Sequence, residues 1–498
     1  MKKVAVIGAG VAGLATAARL QSKGYHVTIF EKNETIGGRM GVIKKDGFQF
    51  DFGPTIVMMP EVYQDLFRYC GKNPDDYIPM KQLETIYDVY FSADDCVRVP
   101  SDLAQLQQML EAIEPGTTAG FLEFLTEIYK RYEIARSYFL ERSFRSPWEF
   151  FNPKMLYQAL KLKTFDSADH VIKKYVSNEK VQKLLAFQTL YIGIAPKQGP
   201  SLYAIIPMIE LIFGVHFIKG GMRSMATGME KLCMDLGVNI QTNSPVEKII
   251  IQEGQARGVQ IADTEYAFDH VVCCADFPYA MNQLIENKTA KGKYTPKKIE
   301  SMDYSCSVYI LYLGVKRDLK GKLPIHNIVF SDDFEKNVSD IFNGDFPEDP
   351  SSYVYVPSVE EASLAPEGME SVYVLTPVPE LKTGNIDWKS DTNLKAFREK
   401  VLNKIQKIKG LENIESDIVS ETVVTPETIS AQFNGLYGAA FGLKPTLMQS
   451  NYFRPQNVSS TCKNLYFAGA SVHPGAGVPI VLTSAMITAG EVLKDDRQ

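Results

Sequence analysis

The residues whose types and spacing could do chemistry begin at the N-terminus. In VIGAGVAG, Gly8, Gly10 and Gly13 make G-x-G-x-x-G between the apolar run Lys3 to Ile7 and the small and apolar residues of Val11 to Lys23. At the start of a helix this spacing bares backbone N–H groups where the helix dipole is positive, which suits a phosphate. Gly8 permits the tight turn, Gly10 leaves room for a pyrophosphate, and Gly13 lets the helix lie close on a sheet. His26 to Phe30 reads as a second buried strand, and Glu31 ends it. A carboxylate there accepts from both hydroxyls of a ribose and repels a 2′-phosphate. Strand, glycines, helix, strand and acid in register predict a dinucleotide-binding βαβ unit, which by itself leaves NAD and FAD both open.

Two further stretches carry chemistry. Gly37, Gly38 and Arg39 follow directly in EKNETIGGRM. Two glycines let backbone approach a ligand closely, and an arginine offers fixed donors to oxygen acceptors, although a surface arginine would look the same. Near the other end, Leu465 to Ala468 reads as a buried strand, followed by GASVHPGAGVPIVLTSAMITAGEVL. There Gly475 and Gly477 form a loop before an apolar helix, with Pro479 tolerated in its first turn. Seven cysteines show no CxxC pair, and six histidines lie far apart without ligand spacing, so no metal site is expected.

Composition narrows the class. With 498 residues, 45% hydrophobic and 22% charged, the chain is an ordinary globular one with more than one lobe. Its formal charge of −6 lacks the positive field of a nucleic-acid binder. Met1 to Leu20 imitates a signal peptide, but Gly8, Gly10 and Gly13 fit a strand-to-helix turn better than a leader helix. The longest apolar run, Tyr203 to Ile218, is broken by Pro207, Glu210 and His216, so no membrane span is expected.

With DFGPTIVMMP, LLAFQTLYIGIAPKQGPSLY, IIPMIELIFGVHFIKGGM, SNYFRPQNV and YFAGASVHPGAGVPIVLTSA, these motifs make the chain resemble the bacterial carotenoid (phytoene-type) desaturases over most of its length. Within that family it is most similar to the branch acting on C30 dehydrosqualene (4,4′-diapophytoene). The resemblance implies FAD, with the Gly-Gly-Arg loop along the ribityl and phosphate part. It also implies Val246 against the adenine, Ala275 and Asp276 beside the pyrophosphate, and Gly469, Gly477 and Val478 around the flavin. The C-terminal helix would then aim its positive end at the flavin edge that gains charge on reduction. One departure stands out: the usual Gly-Asp of the wider amine oxidase group is Gly469-Ala470 here, which removes a carboxylate from the ribityl hydroxyls.

The fold so implied is α/β, a Rossmann-like FAD-binding domain of the amine oxidase and phytoene desaturase type with an antiparallel-sheet substrate domain and a helical lid. The FAD domain spans about 1–65, 218–290 and 455–498, the substrate domain 291–454 and the lid 66–217. Aromatic and β-branched runs at 306–315, 325–332, 351–359 and 370–379 read as strands of the sheet. From Glu127 to Phe165, eight Lys and Arg against four Glu interleave with aromatics. That mixture suits helices resting on anionic lipid, and equally a solvated lid; a substrate soluble only in bilayers favours lipid.

The implied reaction is stepwise dehydrogenation of 15-cis-4,4′-diapophytoene towards 4,4′-diaponeurosporene. It would occur at the cytoplasmic face of the cell membrane, with a long apolar polyene as ligand and other carotenoid-pathway enzymes as partners. Alternatives are a C40 phytoene desaturase, a terminal-methyl carotenoid oxidase, or a flavin-free prenyl-lipid carrier of the same architecture, against which the intact glycine motifs and Glu31 speak. Phe187, Tyr191, Ile205, Met208 and Phe213 are candidate tunnel residues. Glu210 and His473 are candidate proton acceptors, each equally open to a structural role.

Overall fold

The computed structural model describes residues 1–497. Lys3–Ile7 (β1), Val11–Gln21 (α1) and His26–Phe30 (β2) form the βαβ unit, with Val4 opposite Val27 and Ile7 opposite Phe30 in a parallel ladder. Three distant segments complete a five-stranded parallel sheet in the order Leu465–Phe467, His270–Cys273, β1, β2, Asn239–Gln241. A parallel sheet needs cover on both faces. Val4, Val6 and Ile29 pack beneath α1, the helix Arg223–Leu236 and the C-terminal helix Val478–Asp495, while Ala5, Ile7 and Val271 face residues of a three-stranded antiparallel sheet, Lys248–Gln252, Gln255–Ile261 and Thr264–Ala267. Since all five strands run the same way, their carboxyl ends share one edge, where ligands of open α/β sheets bind.

The second sheet has seven strands. Next to the edge strand Ile418–Val424 lies Ser307–Val315, which pairs antiparallel with it and with Glu370–Val378, and the sheet continues through Ser352–Tyr355 and His326–Val329. Side chains alternate in the way a pleated strand requires: Tyr309, Leu311 and Leu313 pack on the helix Asp391–Ile405, whereas Val308, Ile310 and Tyr312 join a core containing Phe124, Phe187 and Met208 of the segment before residue 217.

That earlier segment is not helical throughout. Thr85–Ser92 and Asp95–Pro100 extend the sheet, entering by its single parallel pairing, Asp88 opposite Asn327. TIYDVYFS has the β-branched and aromatic make-up of a strand, and a sheet edge was available to it. The charge surplus of 127–165 is also partly internal. Arg131 is buried and pairs with Glu127 at 2.9 Å, and Arg145 turns inward to Asp495 at 2.6 Å and to Glu491. Lys130, Arg142, Lys154 and Lys161 remain exposed, beside Trp148, Tyr157, Leu160 and Phe165.

Candidate active site

At the carboxyl edge of the parallel sheet the two glycine motifs meet. Gly37 donates its N–H to the Ala9 carbonyl at 2.9 Å, and a side chain on Gly38 would come within 3.3 Å of the Gly10 Cα. The three glycines of the N-terminal turn do different work. Gly8 has φ +97°, which an L side chain rarely adopts. A Cβ on Gly13 would stand 1.9 Å from the Gly8 carbonyl oxygen, so Gly13 is needed for helix and turn to touch. Gly10 has ordinary extended backbone at φ −77°, and among the described residues nothing but its own chain neighbours lies within 4 Å of where its Cβ would be. The space that Gly10 keeps clear is therefore not used by the fold.

Glu31 is buried and held on both oxygens, accepting from the Ala9 N–H at 2.8 Å and from the Asn33 N–H at 2.9 Å, with lone pairs left over for hydroxyls. The Nε of Arg39 is buried without a partner among the described residues, and burial lowers the pKa of this guanidinium while Asp276 opposes the effect. Asp276, beyond the end of His270–Cys273, accepts from the Ser471 hydroxyl at 2.6 Å, next to Ala470. Burial pushes its carboxyl up, and Arg39 and Ser471 pull it back. A carboxylate thus stands beside the position that Ala470 left without one.

Gly8, Gly10, Glu31, Gly38, Arg39, Val246, Asp276, Gly469, Gly477 and Val478 all border one continuous cavity of about 610 Å3, a size that encloses a small molecule. The spare room at Gly10, the unpartnered Arg39 and the fixed Glu31 fit a dinucleotide with a flavin. Sequence reasoning did not find Arg454, which shapes this end. Fully buried, it donates to the carbonyls of Leu443, Gln449, Ala470 and Val472, and so fixes the loop that carries Gly469. Its only sequence signal is an arginine in SNYFRPQNV just before a buried strand.

From the glycine end the cavity continues between the seven-stranded sheet and the helices before residue 217, where its wall is apolar. Phe187, Tyr191 and Ile205 line it, joined by Ile206, Ile209 and Ile310. Met208 and Phe213 do not: helical periodicity turns Met208 into the core, and Phe213 packs on Tyr132 at a ring separation of 6.2 Å. Tyr132, Arg136, Leu140 and Glu141 line the cavity as well, on and beside the π-helical turn Arg136–Leu140, where Arg136 and Glu141 are exposed.

Neither proton-acceptor candidate lines the cavity. His473 is fully buried, its Nε2 2.9 Å from the Arg142 carbonyl and its ring on Phe144, so it clasps the lid to the C-terminal loop; burial lowers it to about 4. Glu210 lies one layer behind the wall. Both its oxygens lack partners among the described residues, since the Gln188 amide donates instead to the Tyr87 hydroxyl and the Leu184 carbonyl, and burial pushes the carboxyl up to about 8.

Comparison with known proteins agrees with this geometry. The family model for flavin containing amine oxidoreductase matches residues 11–493. The 4,4′-diapophytoene desaturase (4,4′-diaponeurosporene-forming) of Staphylococcus aureus strain MSSA476 is 57% identical over 100% of this chain and 99% of its own length. That of strain MRSA252 is 56% identical over the same shares. Among solved structures, an oxidoreductase from Methanosarcina mazei superposes with a TM-score of 0.63 at 16% identity, covering 99% of this chain and 100% of its own. Putrescine oxidase bound to putrescine gives 0.63 at 15%, covering 99% of each chain. The chain belongs to the flavin-containing amine oxidoreductase family, in its carotenoid desaturase branch.

Proposed function

We propose that the protein is an FAD-dependent desaturase that converts 15-cis-4,4′-diapophytoene stepwise to 4,4′-diaponeurosporene. The observation that carries this reading is the continuity of one cavity from a glycine and arginine cradle into an apolar slot, on a chain 57% identical to diapophytoene desaturases from end to end. When bound, FAD supplies a two-electron acceptor able to take a hydride from carbon. The residues do the rest. Glu31 holds the ribose hydroxyls, Gly10 and Gly38 admit the pyrophosphate, and Val246 flanks the adenine. Arg39 and Asp276 engage the ribityl and phosphate oxygens, with Gly469 alongside. Gly477 and Val478 present the first N–H groups of the last helix to the ring. Ile205, Ile206 and Phe187 align a flexible chain and exclude water, which converts an encounter into a positioned reaction.

On this reading 1–65, 218–290 and 455–498 make the cofactor domain, 291–454 the substrate domain with residues 85–100 added to its sheet, and 66–217 otherwise the lid. The exposed aromatic and basic surface of 127–165 rests on the cytoplasmic face of the membrane and takes the polyene from it past Arg136 and Glu141, which are exposed and line the cavity. Among the described residues no helix is long and apolar enough to cross a membrane, in keeping with attachment by a surface. Pigment spectra of cells that co-express the chain with a C30 or a C40 synthase test the substrate. Yellow colour with the C30 synthase is expected; colour with the C40 synthase alone overturns the assignment.

A further inference from the structure

Dehydrogenation also releases a proton, and the largely apolar wall of the cavity carries a row of polar groups bonded in series beside the glycine and arginine cradle. Tyr353, on Ser352–Tyr355, lines the cavity together with Thr55. Its hydroxyl is 2.7 Å from Thr55 Oγ1 and 2.7 Å from His326 Nδ1. Thr55 lies two residues after Gly53, which packs against the Arg39 backbone so closely that a Cβ would be 2.6 Å from the Arg39 oxygen. The row therefore stands where the glycine and arginine cradle meets the substrate-facing sheet.

His326 lies behind the wall, opposite Tyr355 in the ladder and stacked on the rings of Tyr353 and Tyr355 at 5.9 and 5.4 Å. It is 1% exposed, and its Nε2 has no partner among the described residues. Packing accounts for an aromatic ring here, but not for one with a buried, unpaired nitrogen. A proton on Nε2 leaves the lone pair on Nδ1, pointing at the Tyr353 hydroxyl, which is the arrangement that a proton acceptor needs.

We infer that Tyr353 and His326 are the proton-accepting arm of the site. One C–H bond of the substrate breaks with both electrons, which bound FAD would accept as a hydride. The adjacent C–H bond breaks, its electron pair becomes the second bond of the new alkene, and its proton passes to the Tyr353 oxygen as the Tyr353 proton moves to His326 Nδ1. Tyr353 ends as it began and His326 becomes an imidazolium. A carbon beside a developing carbocation gives up its proton far more readily than an imidazolium does, so the burial that keeps His326 neutral does not stop it from accepting.

The inference rests on the desaturase reading, and its test separates the two. Wild-type and Tyr353→Phe holoenzyme are mixed with dehydrosqualene in liposomes without oxygen. The wild-type flavin is expected to bleach, and the variant to bleach roughly 100-fold more slowly with the same FAD content and KM. His326→Asn should match it. Selective 15N-histidine NMR of the full-length wild type, which needs no variant to fold, should show His326 with an unprotonated Nδ1 that accepts a hydrogen bond. A Tyr353→Phe protein that bleaches at the wild-type rate, or a protonated Nδ1 in His326, overturns the arm. A wild type that holds FAD but is not bleached overturns the desaturase reading instead.

Discussion

Gly10 and Gly13 lie three residues apart in one turn and answer to different constraints. A side chain at Gly13 collides with the Gly8 carbonyl, so Gly13→Ala forces α1 off the turn and is expected to cost about 1–3 kcal/mol in stability. A Cβ at Gly10 meets nothing within 4 Å among the described residues, so Gly10→Val should melt like the wild type stripped of FAD and yet purify without flavin; a yellow Gly10→Val protein would refute the placement. Glu210 supports a pH prediction. Its carboxyl binds a proton more tightly in the fold, at about 8, than in the unfolded chain, at 4.5. Between those values the folded state holds more protons, so this group lowers stability as pH rises. Denaturant unfolding should show Glu210→Gln gaining a few kcal/mol on the wild type between pH 5 and pH 8.5; an unchanged difference would place the carboxyl in a polar site. The glycines and Glu31 were legible in the sequence because their constraints are local. Tyr353 with Thr55, and Asp276 with Ser471, were paired only by the fold, since their partners lie 298 and 195 residues away.

The strands of 307–378 could be read from their aromatic and β-branched runs, because one row of side chains faces the helix Asp391–Ile405 and the other the core shared with the helices before residue 217, so both rows are apolar. Thr85–Ser92 carried the same composition but joins the sheet by a parallel pairing with a partner far along the chain, which no local pattern announces. The lid shows the converse limit. Its basic and aromatic composition was plain, yet only the structure separates Arg131, Arg145, Phe139 and Phe144, which are spent on internal contacts, from Trp148, Leu160 and Phe165, at 72%, 68% and 83% exposure. On the proposed reading these three side chains are the ones that meet lipid. Replacing those three by serine should leave flavin content and melting unchanged and release the protein from anionic vesicles in sedimentation; continued co-sedimentation would remove the lipid contact from this face.

At the scale of the molecule, the first and last segments of the chain lie in one sheet, and the polypeptide between them builds the slot that the shared edge opens onto. This is why the cofactor end was readable from two short motifs, whereas the substrate end needed the resemblance and the structure together: an apolar wall is made of residues that any core would use. On the proposed reading flavin and polyene share that one cavity. Anaerobic titration of the holoenzyme with dehydrosqualene in liposomes, followed by flavin absorbance and by pigment extraction, tests this most directly. Bleaching of the flavin in step with formation of the first new double bond is the result predicted; product formed without bleaching, or a protein that folds but takes up no FAD, would contradict it.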